Sequence, residues 1–277
     1  MAKAVAESVY LVTGATDGIG LGTATRLAGL GATVLLHGRD STRLANAQDA
    51  IARETASSKL ETYRADFAVL DEVRELADTV AAQHQTLDVL INNAGIGRGG
   101  RDAQERELSA DGHELRFQVN HLAPFLLTHL LLPPLERAGA ARIVNVASAA
   151  QMPIDFDDVM LTRDYSGRRA YAQSKLAMVM ATFELAARLE AKMVTVNALH
   201  PGSLLDTKMV REGFGAAQGP VETGIKSETY LATSPDLDGV TGAYFDRTQP
   251  DRADSQAYRK TDRERLWALS EYLVGLA

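Results

Sequence analysis

The sequence predicts a single doubly wound α/β domain: one parallel sheet of about seven strands with helices on both faces. Three observations carry that expectation. Short apolar runs alternate with segments of helical period along the whole chain, the pattern of right-handed β-α-β crossovers. No Pro/Ser-rich linker and no internal repeat divides the 277 residues, a length that α/β folds reach as one unit. A glycine-rich turn stands directly after the first apolar run, where a strand hands over to a helix.

In chain order, the candidate strands are residues 9–13, 33–37, 60–64, 87–92, 142–147, 194–199 and 243–245. Between them the period changes. Val73, Leu76, Ala77, Val80 and Ala81 fall at i, i+3, i+4, i+7 and i+8, one face of a helix, and Leu44, Ala47 and Ile51 repeat the pattern. A long helix is expected over 111–132, with Pro124 four residues after Asn120. Proline has no N–H, so the Asn120 carbonyl loses its usual partner, a kink should form there, and the freed oxygen is placed to hold a water. His113, His121 and His129 recur every eight residues on that stretch, without the one-turn spacing of a metal-ligand pair. They read as ordinary core or surface histidines, and no metal site is expected. Residues 203–225 form a substrate-loop region, with the glycine-flanked segment 213–219 as a candidate lid. Residues 261–274 form a C-terminal helix, with Leu266, Trp267, Leu269, Leu273 and Val274 for packing.

Composition narrows the function classes. Hydrophobic residues make up 45% and charged residues 23%, ordinary for a globular chain. The net charge of −7 disfavours nucleic acid and anionic membranes as partners. There is no cysteine, which excludes a disulfide framework and thiolate chemistry. The N-terminus has no apolar signal core, and the apolar stretch 122–135 is interrupted by Thr128, His129 and three prolines, so the expected location is the cytoplasm, away from the membrane.

The glycine turn runs Thr13-Gly14-Ala15-Thr16-Asp17-Gly18-Ile19-Gly20. Glycines there allow a tight turn and a close approach of a bulky anion to the backbone, and the helix that follows points N–H groups and its positive dipole end at that anion. A pyrophosphate fits such a site, and the domain is of Rossmann type. Ligands in these sheets bind beyond the carboxyl ends of the strands. There the chain places Arg39, Asp66-Phe67, Asn92-Asn93-Ala94-Gly95, a glycine-rich loop over 95–100, Ser148 and His200-Pro201-Gly202. Tyr171 and Lys175 share a face of a helix that runs to about Leu189.

These motifs, in this order, resemble the classical short-chain dehydrogenases/reductases over nearly the whole chain: the TGxxxGxG turn, the Asn-Asn-Ala-Gly element, a strand-end Ser and the Tyr-x-x-x-Lys pair. The long stretch between Ser148 and Tyr171, with Tyr165-Ser166-Gly167 just ahead of Tyr171, resembles the retinol-dehydrogenase-like branch, in which the added residues shape the substrate mouth. The resemblance implies a nicotinamide cofactor held by Gly14, Thr16, Asp17, Gly18, Ile19, Gly20, Arg39, Asp66, Phe67, Asn93, Ala94, Gly95, Tyr171, Lys175, Pro201, Gly202 and Thr207. The last of these stands one residue further from Gly202 than in many members. It implies Asn120, Ser148, Tyr171 and Lys175 as the catalytic set, and a Tyr171 helix that often packs on a partner subunit, which leaves a homo-oligomer open.

The chemistry follows from the groups. A carbonyl receiving hydride develops negative charge on oxygen and needs a proton donor and a hydrogen bond there. Tyr171 supplies the proton, Lys175 the positive charge that favours the phenolate, Ser148 the hydrogen bond, and Asn120 a water-mediated relay. Arg39 is able to pair with an adenosine 2′-phosphate, so NADP(H) is expected over NAD(H), with NAD(H) remaining usable. Asp40 should cap the next helix, and Asp17 should face solvent. The substrate expected from Met152–Ile154, Leu204–Met209 and Phe214 is a bulky, largely hydrophobic carbonyl compound or alcohol. Two other classes fit the fold less well. A nucleotide-binding regulator has no need of an acid–base pair, and a sugar-nucleotide epimerase or dehydratase has different glycine spacing.

Overall fold

Eight strands form one sheet in the order β3-β2-β1-β4-β5-β6-β7-β8. They are β1 (Val9–Val12), β2 (Thr33–Gly38), β3 (Leu60–Arg64), β4 (Val89–Asn92), β5 (Ala141–Val146), β6 (Val194–His200), β7 (Tyr244–Asp246) and β8 (Gln249–Asp251). The computed structural model describes residues 3–99, 105–189 and 194–277, without the Phe214 side chain. Neighbouring strands run parallel through β7, and only β8 is antiparallel to its neighbour. The seven strands read from the sequence are thus all present, and β8 is added. Gln249-Pro250-Asp251 is fully exposed and carries no apolar alternation, so pattern reading passes over it. Arg247, at a φ of 56°, makes the tight return from β7, and the proline and charge of β8 blunt the sheet edge.

Both faces of the sheet are covered. The helices are α1 (Gly18–Gly29), α2 (Ser41–Thr55), α3 (Leu70–Gln83), the single turn α4 (Leu115–Phe117), α5 (Ala123–Ala138), α6 (Gly167–Arg188), α7 (Lys208–Phe214), α8 (Val221–Thr233) and α9 (Lys260–Leu273). One apolar cluster joins the sheet to α3, α5, α6 and α9, and a second joins it to α1, α2 and α8. Strands β4 and β5 are buried along their whole length, as strands covered on both faces must be.

The helical stretch around Asn120 departs from expectation at both ends. It begins at Leu115, not near 111, because Gly112 takes a φ of 80° and Asp111 leaves the helix to accept a hydrogen bond from Leu70 N at 3.0 Å, capping α3. His113 therefore lies outside the helix. The stretch continues through Pro133 and Pro134 to Ala138. Between α4 and α5, Gln118–Leu122 forms a wide π-turn in which Ala123 N donates to Gln118 O. Pro124, unable to donate to Asn120, thus coincides with a widened turn rather than a sharp break.

Candidate active site

The glycine turn is fixed by contacts inside the protein as much as by a ligand. Gly14 and Gly18 have φ of 66° and 55°. A Cβ on Gly14 would lie 2.9 Å from Ala94 Cα, and one on Gly20 would press on Asn93 Nδ2 and lie 2.5 Å from the Gly14 carbonyl oxygen. Asn93 explains this crowding. It donates from Nδ2 to Thr13 O at 2.7 Å and Gly14 O at 3.2 Å, while its backbone N donates to Thr13 Oγ1 at 2.9 Å. The Asn-Asn-Ala-Gly element is therefore a clamp on the turn, and Gly20 is needed for that clamp. Asn92, one residue earlier, points the other way and donates to Thr128 Oγ1 and Asn145 Oδ1. His37 completes the support: Gly14 N donates to its Nδ1 at 3.2 Å, so the proton sits on Nε2, which reaches Ala65 O at 3.0 Å. Burial lowers the His37 pKa to about 4, and the ring stacks on Phe67 at 4.5 Å.

The turn fits a dinucleotide. Asp17 caps α1 by accepting from Gly18 N at 2.7 Å, and the next first-turn N–H groups, of Ile19 and Gly20, have no intrahelical partner. Thr16 lies against the far side, beside Gly38. Asp17 does not face bulk solvent alone; it pairs with Arg43 Nη2 at 3.1 Å. Asp40 caps α2, accepting from Arg43 N at 2.9 Å, and leaves the exposed Arg39 at the end of β2. Asp66 is not a helix cap but makes a local turn, accepting from Ala68 N at 3.0 Å.

The four candidate catalytic residues are brought together. Ser166 caps α6, accepting from Arg169 N, so Tyr171 and Lys175 stand one turn apart near the start of a largely buried helix. Ser148, just beyond β5, stands close enough to Tyr171 to act on its pKa. Burial holds the Tyr171 phenol above its ordinary pKa, and the Ser148 contact works against that. Lys175 Nζ donates to Val146 O at 2.7 Å and stands 5.9 Å from the Tyr171 ring centre. Burial lowers the Lys175 pKa to about 8, opposed by the charge of Glu228. That carboxyl is fully buried on α8, accepts from Thr23 Oγ1 at 2.9 Å, and is pushed up to about 8 by burial. Asn120 bonds both backbone groups of Ile96, at 2.8 and 3.1 Å, and donates to Ser174 Oγ at 3.0 Å. Gly95 lies between them: a Cβ there would be 3.0 Å from Asn120 Oδ1 and 3.5 Å from Lys175 Nζ. The space that glycine leaves open borders both groups.

Across the site, Gly202 has a φ of 130°, and the chain from Leu204 folds back on itself at Gln218 and Gly219. Thr207 caps α7 and stands over Gly18, while Arg98 donates to Gly213 O at 2.9 Å. A cavity of about 450 Å³ lies beside Ala149 and Gly202, bordered by His200, Leu205, Tyr244 and Asp246. Met152 is exposed, whereas Ile154 belongs to the core and does not face the mouth. Gly100 and the Phe214 side chain lie outside the described residues.

A family model for short chain dehydrogenase matches residues 8–216. The chain belongs to that family. It is similar to human retinol dehydrogenase 13, at 39% identity over 96% of this chain and 84% of the relative, and to human retinol dehydrogenase 14, at 36% over 96% and 86%. Among solved structures it resembles an uncharacterised protein from Mycobacterium paratuberculosis, with 34% identity, a TM-score of 0.80 and coverage of 99% of this chain and 96% of the other. It also resembles an Escherichia coli CFT073 short chain dehydrogenase complexed with NADPH, with 27% identity, a TM-score of 0.71 and coverage of 87% and 96%. This short-chain dehydrogenase thus falls in the retinol-dehydrogenase-like branch and is an NAD(P)-dependent oxidoreductase acting on alcohol or carbonyl groups. Among its described residues no helix is long and apolar enough to cross a membrane. Its α6 packs against α9 of the same chain.

Some supporting residues escaped sequence reading. His37 gave a faint signal, a histidine closing an apolar run. Arg43, one turn beyond Arg39, gave one as well. Tyr244 and Glu228 gave none, because nothing in their local pattern marks the residues they touch.

Proposed function

We propose that this enzyme interconverts a largely hydrophobic carbonyl compound and its alcohol with NADP(H), using Tyr171 as the acid/base. The observation that carries the reading is Lys175 one helical turn beyond Tyr171, its Nζ 5.9 Å from the Tyr171 ring centre, with Ser148 close enough to Tyr171 to lower its pKa. When bound, the nicotinamide supplies or accepts the hydride. The protein's own part is to aim Ser148 at the carbonyl oxygen, to pass the proton at the Tyr171 hydroxyl, and to keep a cation beside it. Asn120 holds the π-turn against Ile96 and α6, next to Lys175, which suits a proton path to solvent.

The NADP(H) preference rests on Arg39 and gains from Arg43. The ion pair with Arg43 offsets the Asp17 charge, which alone would repel a 2′-phosphate. Pro201, Gly202 and Thr207 would border the nicotinamide end, and Asp66 and Phe67 the adenine. Relatives named for retinol and polyprenol support an apolar substrate, as does Leu205 on the border of the cavity. The test is NADPH oxidation with a panel of ketones and aldehydes. Tyr171→Phe should still bind NADPH and lose turnover by about 10²- to 10⁴-fold, the usual worth of a general acid. Turnover at the parent rate would sink the mechanism.

A further inference from the structure

We propose that Tyr244, on β7, is a positioning residue that acts through the backbone of Ser148. The inference rests on the reading above, in which Ser148 hydrogen-bonds the reacting oxygen. The last bond from this end of β5 to β6 is Ala147 N to Leu199 O at 2.8 Å, so the sheet holds the chain up to Ala147 and other partners must fix the Ser148 carbonyl. That carbonyl accepts two hydrogen bonds, from the Tyr244 hydroxyl at 3.1 Å and from Gln151 Nε2 at 2.8 Å. Both donors are held in turn. Tyr244 is 4% exposed on a strand paired on both sides. Gln151 Oε1 accepts from Asp254 N at 2.8 Å. Gln256 clamps the same loop further on, taking both backbone groups of Ile154, N at 2.6 Å and O at 3.2 Å.

The consequence is directional. A peptide carbonyl held by two donors fixes the rotation of the Ser148 backbone and so the direction of its hydroxyl. That hydroxyl accepts from Ala150 N at 3.0 Å and lies close enough to Tyr171 to act on its pKa. A small misplacement of such a group costs rate without a matching loss of cofactor binding. The segment from β7 onward is far from the catalytic residues in sequence, yet its Tyr244, Asp254 and Gln256 hold the loop that carries Ser148.

The test is a double-mutant cycle on the full chain, with kcat and KM measured on one ketone with NADPH. Tyr244→Phe keeps the ring and removes the donor. It should lower kcat about 10-fold, the size of one hydrogen bond, with the NADPH Kd within about 2-fold. In a Ser148→Ala background the same substitution should cost less than about 2-fold, because the group it positions is gone. Equal losses in the two backgrounds would show that Tyr244 acts by general packing and overturn the proposal. So would parent-like kcat in Tyr244→Phe beside a slow Ser148→Ala. A Ser148→Ala enzyme at the parent rate would instead remove the underlying reading of Ser148, and this inference with it. Gln151→Leu removes the other donor and serves for the cycle if Tyr244→Phe does not fold.

Discussion

The glycine turn and the loop from Ser148 to Tyr171 both border the catalytic residues, but they are held in different ways. The turn is held by backbone geometry and by neighbours on adjacent strands: positive φ at Gly14 and Gly18, the Asn93 clamp and the His37 bridge. The mouth loop is held by side chains, neutral and charged, that reach into it from elsewhere in the chain. Gln256 takes Ile154, Gln173 donates to Val159 O at 2.8 Å, and Tyr165 sits between Glu114 and Arg116. The turn has little freedom to change because a Cβ at Gly14 or Gly20 would run into main-chain atoms. The mouth can change residue by residue, as a region that selects substrates must.

The contrast is broken most severely at Gly20. Gly20→Ala would push a methyl into the Gly14 carbonyl and the side-chain amide of Asn93, which two hydrogen bonds hold in place. Destabilisation of about 3 kcal/mol or more is expected, at the upper end for overpacking, and chemical denaturation reads it. A stable Gly20→Ala with normal NADPH affinity would refute the clamp.

Next in size is the phosphate end of the turn. Arg39→Asp should lower the ratio of kcat/KM for NADPH to that for NADH by about 100-fold, as a bidentate charge-assisted contact is lost and a like charge appears. Arg43→Ala should lower it less, since Arg43 also offsets Asp17. An unchanged ratio in both variants would remove the cofactor assignment and leave the reductase reading intact.

Acid should act on the turn through His37. His37 is buried neutral with a pKa of about 4, against 6.5 when unfolded. Its contribution is therefore fully present above pH 6.5 and lost as pH falls toward about 4, because the unfolded chain binds the proton first. Between pH 7 and pH 5 this amounts to about 2 kcal/mol. Thermal unfolding across that range should show the slope, and His37→Gln should remove about 2 kcal/mol of it, leaving the part due to His121, His129 and His200, whose pKa values burial also lowers. A slope unchanged in His37→Gln would assign the acid sensitivity elsewhere.

The smallest effect is expected at the mouth itself. Gln256→Ala removes both bonds to Ile154 and should cost about 1–3 kcal/mol of stability, since a buried pair is left unsatisfied. It should raise KM for the carbonyl substrate several-fold while KM for NADPH stays put. Matched rises in both constants would mean that the mouth and the turn are not separable.

The sequence by itself determined the alternation of strands and helices, the glycine turn and the Ser148, Tyr171 and Lys175 set. Each of these is written in short-range terms: a period of two or 3.6, a glycine where φ turns positive, a tyrosine and a lysine one helical turn apart. Pro124 likewise announced that the helix near Asn120 would not be regular. Only the tertiary structure decided the rest. It placed β8, whose exposed Gln-Pro-Asp has no apolar pattern to read. It turned Gly20 and Asn93 into one clamp, set Arg43 against Asp17, buried Glu228 near Lys175, and brought Tyr244 to the carbonyl of Ser148. The physical reason is common to all of these. A hydrogen bond between a side chain and a distant backbone group depends on where the sheet and its crossovers bring the two together, and it leaves no periodic trace at either position.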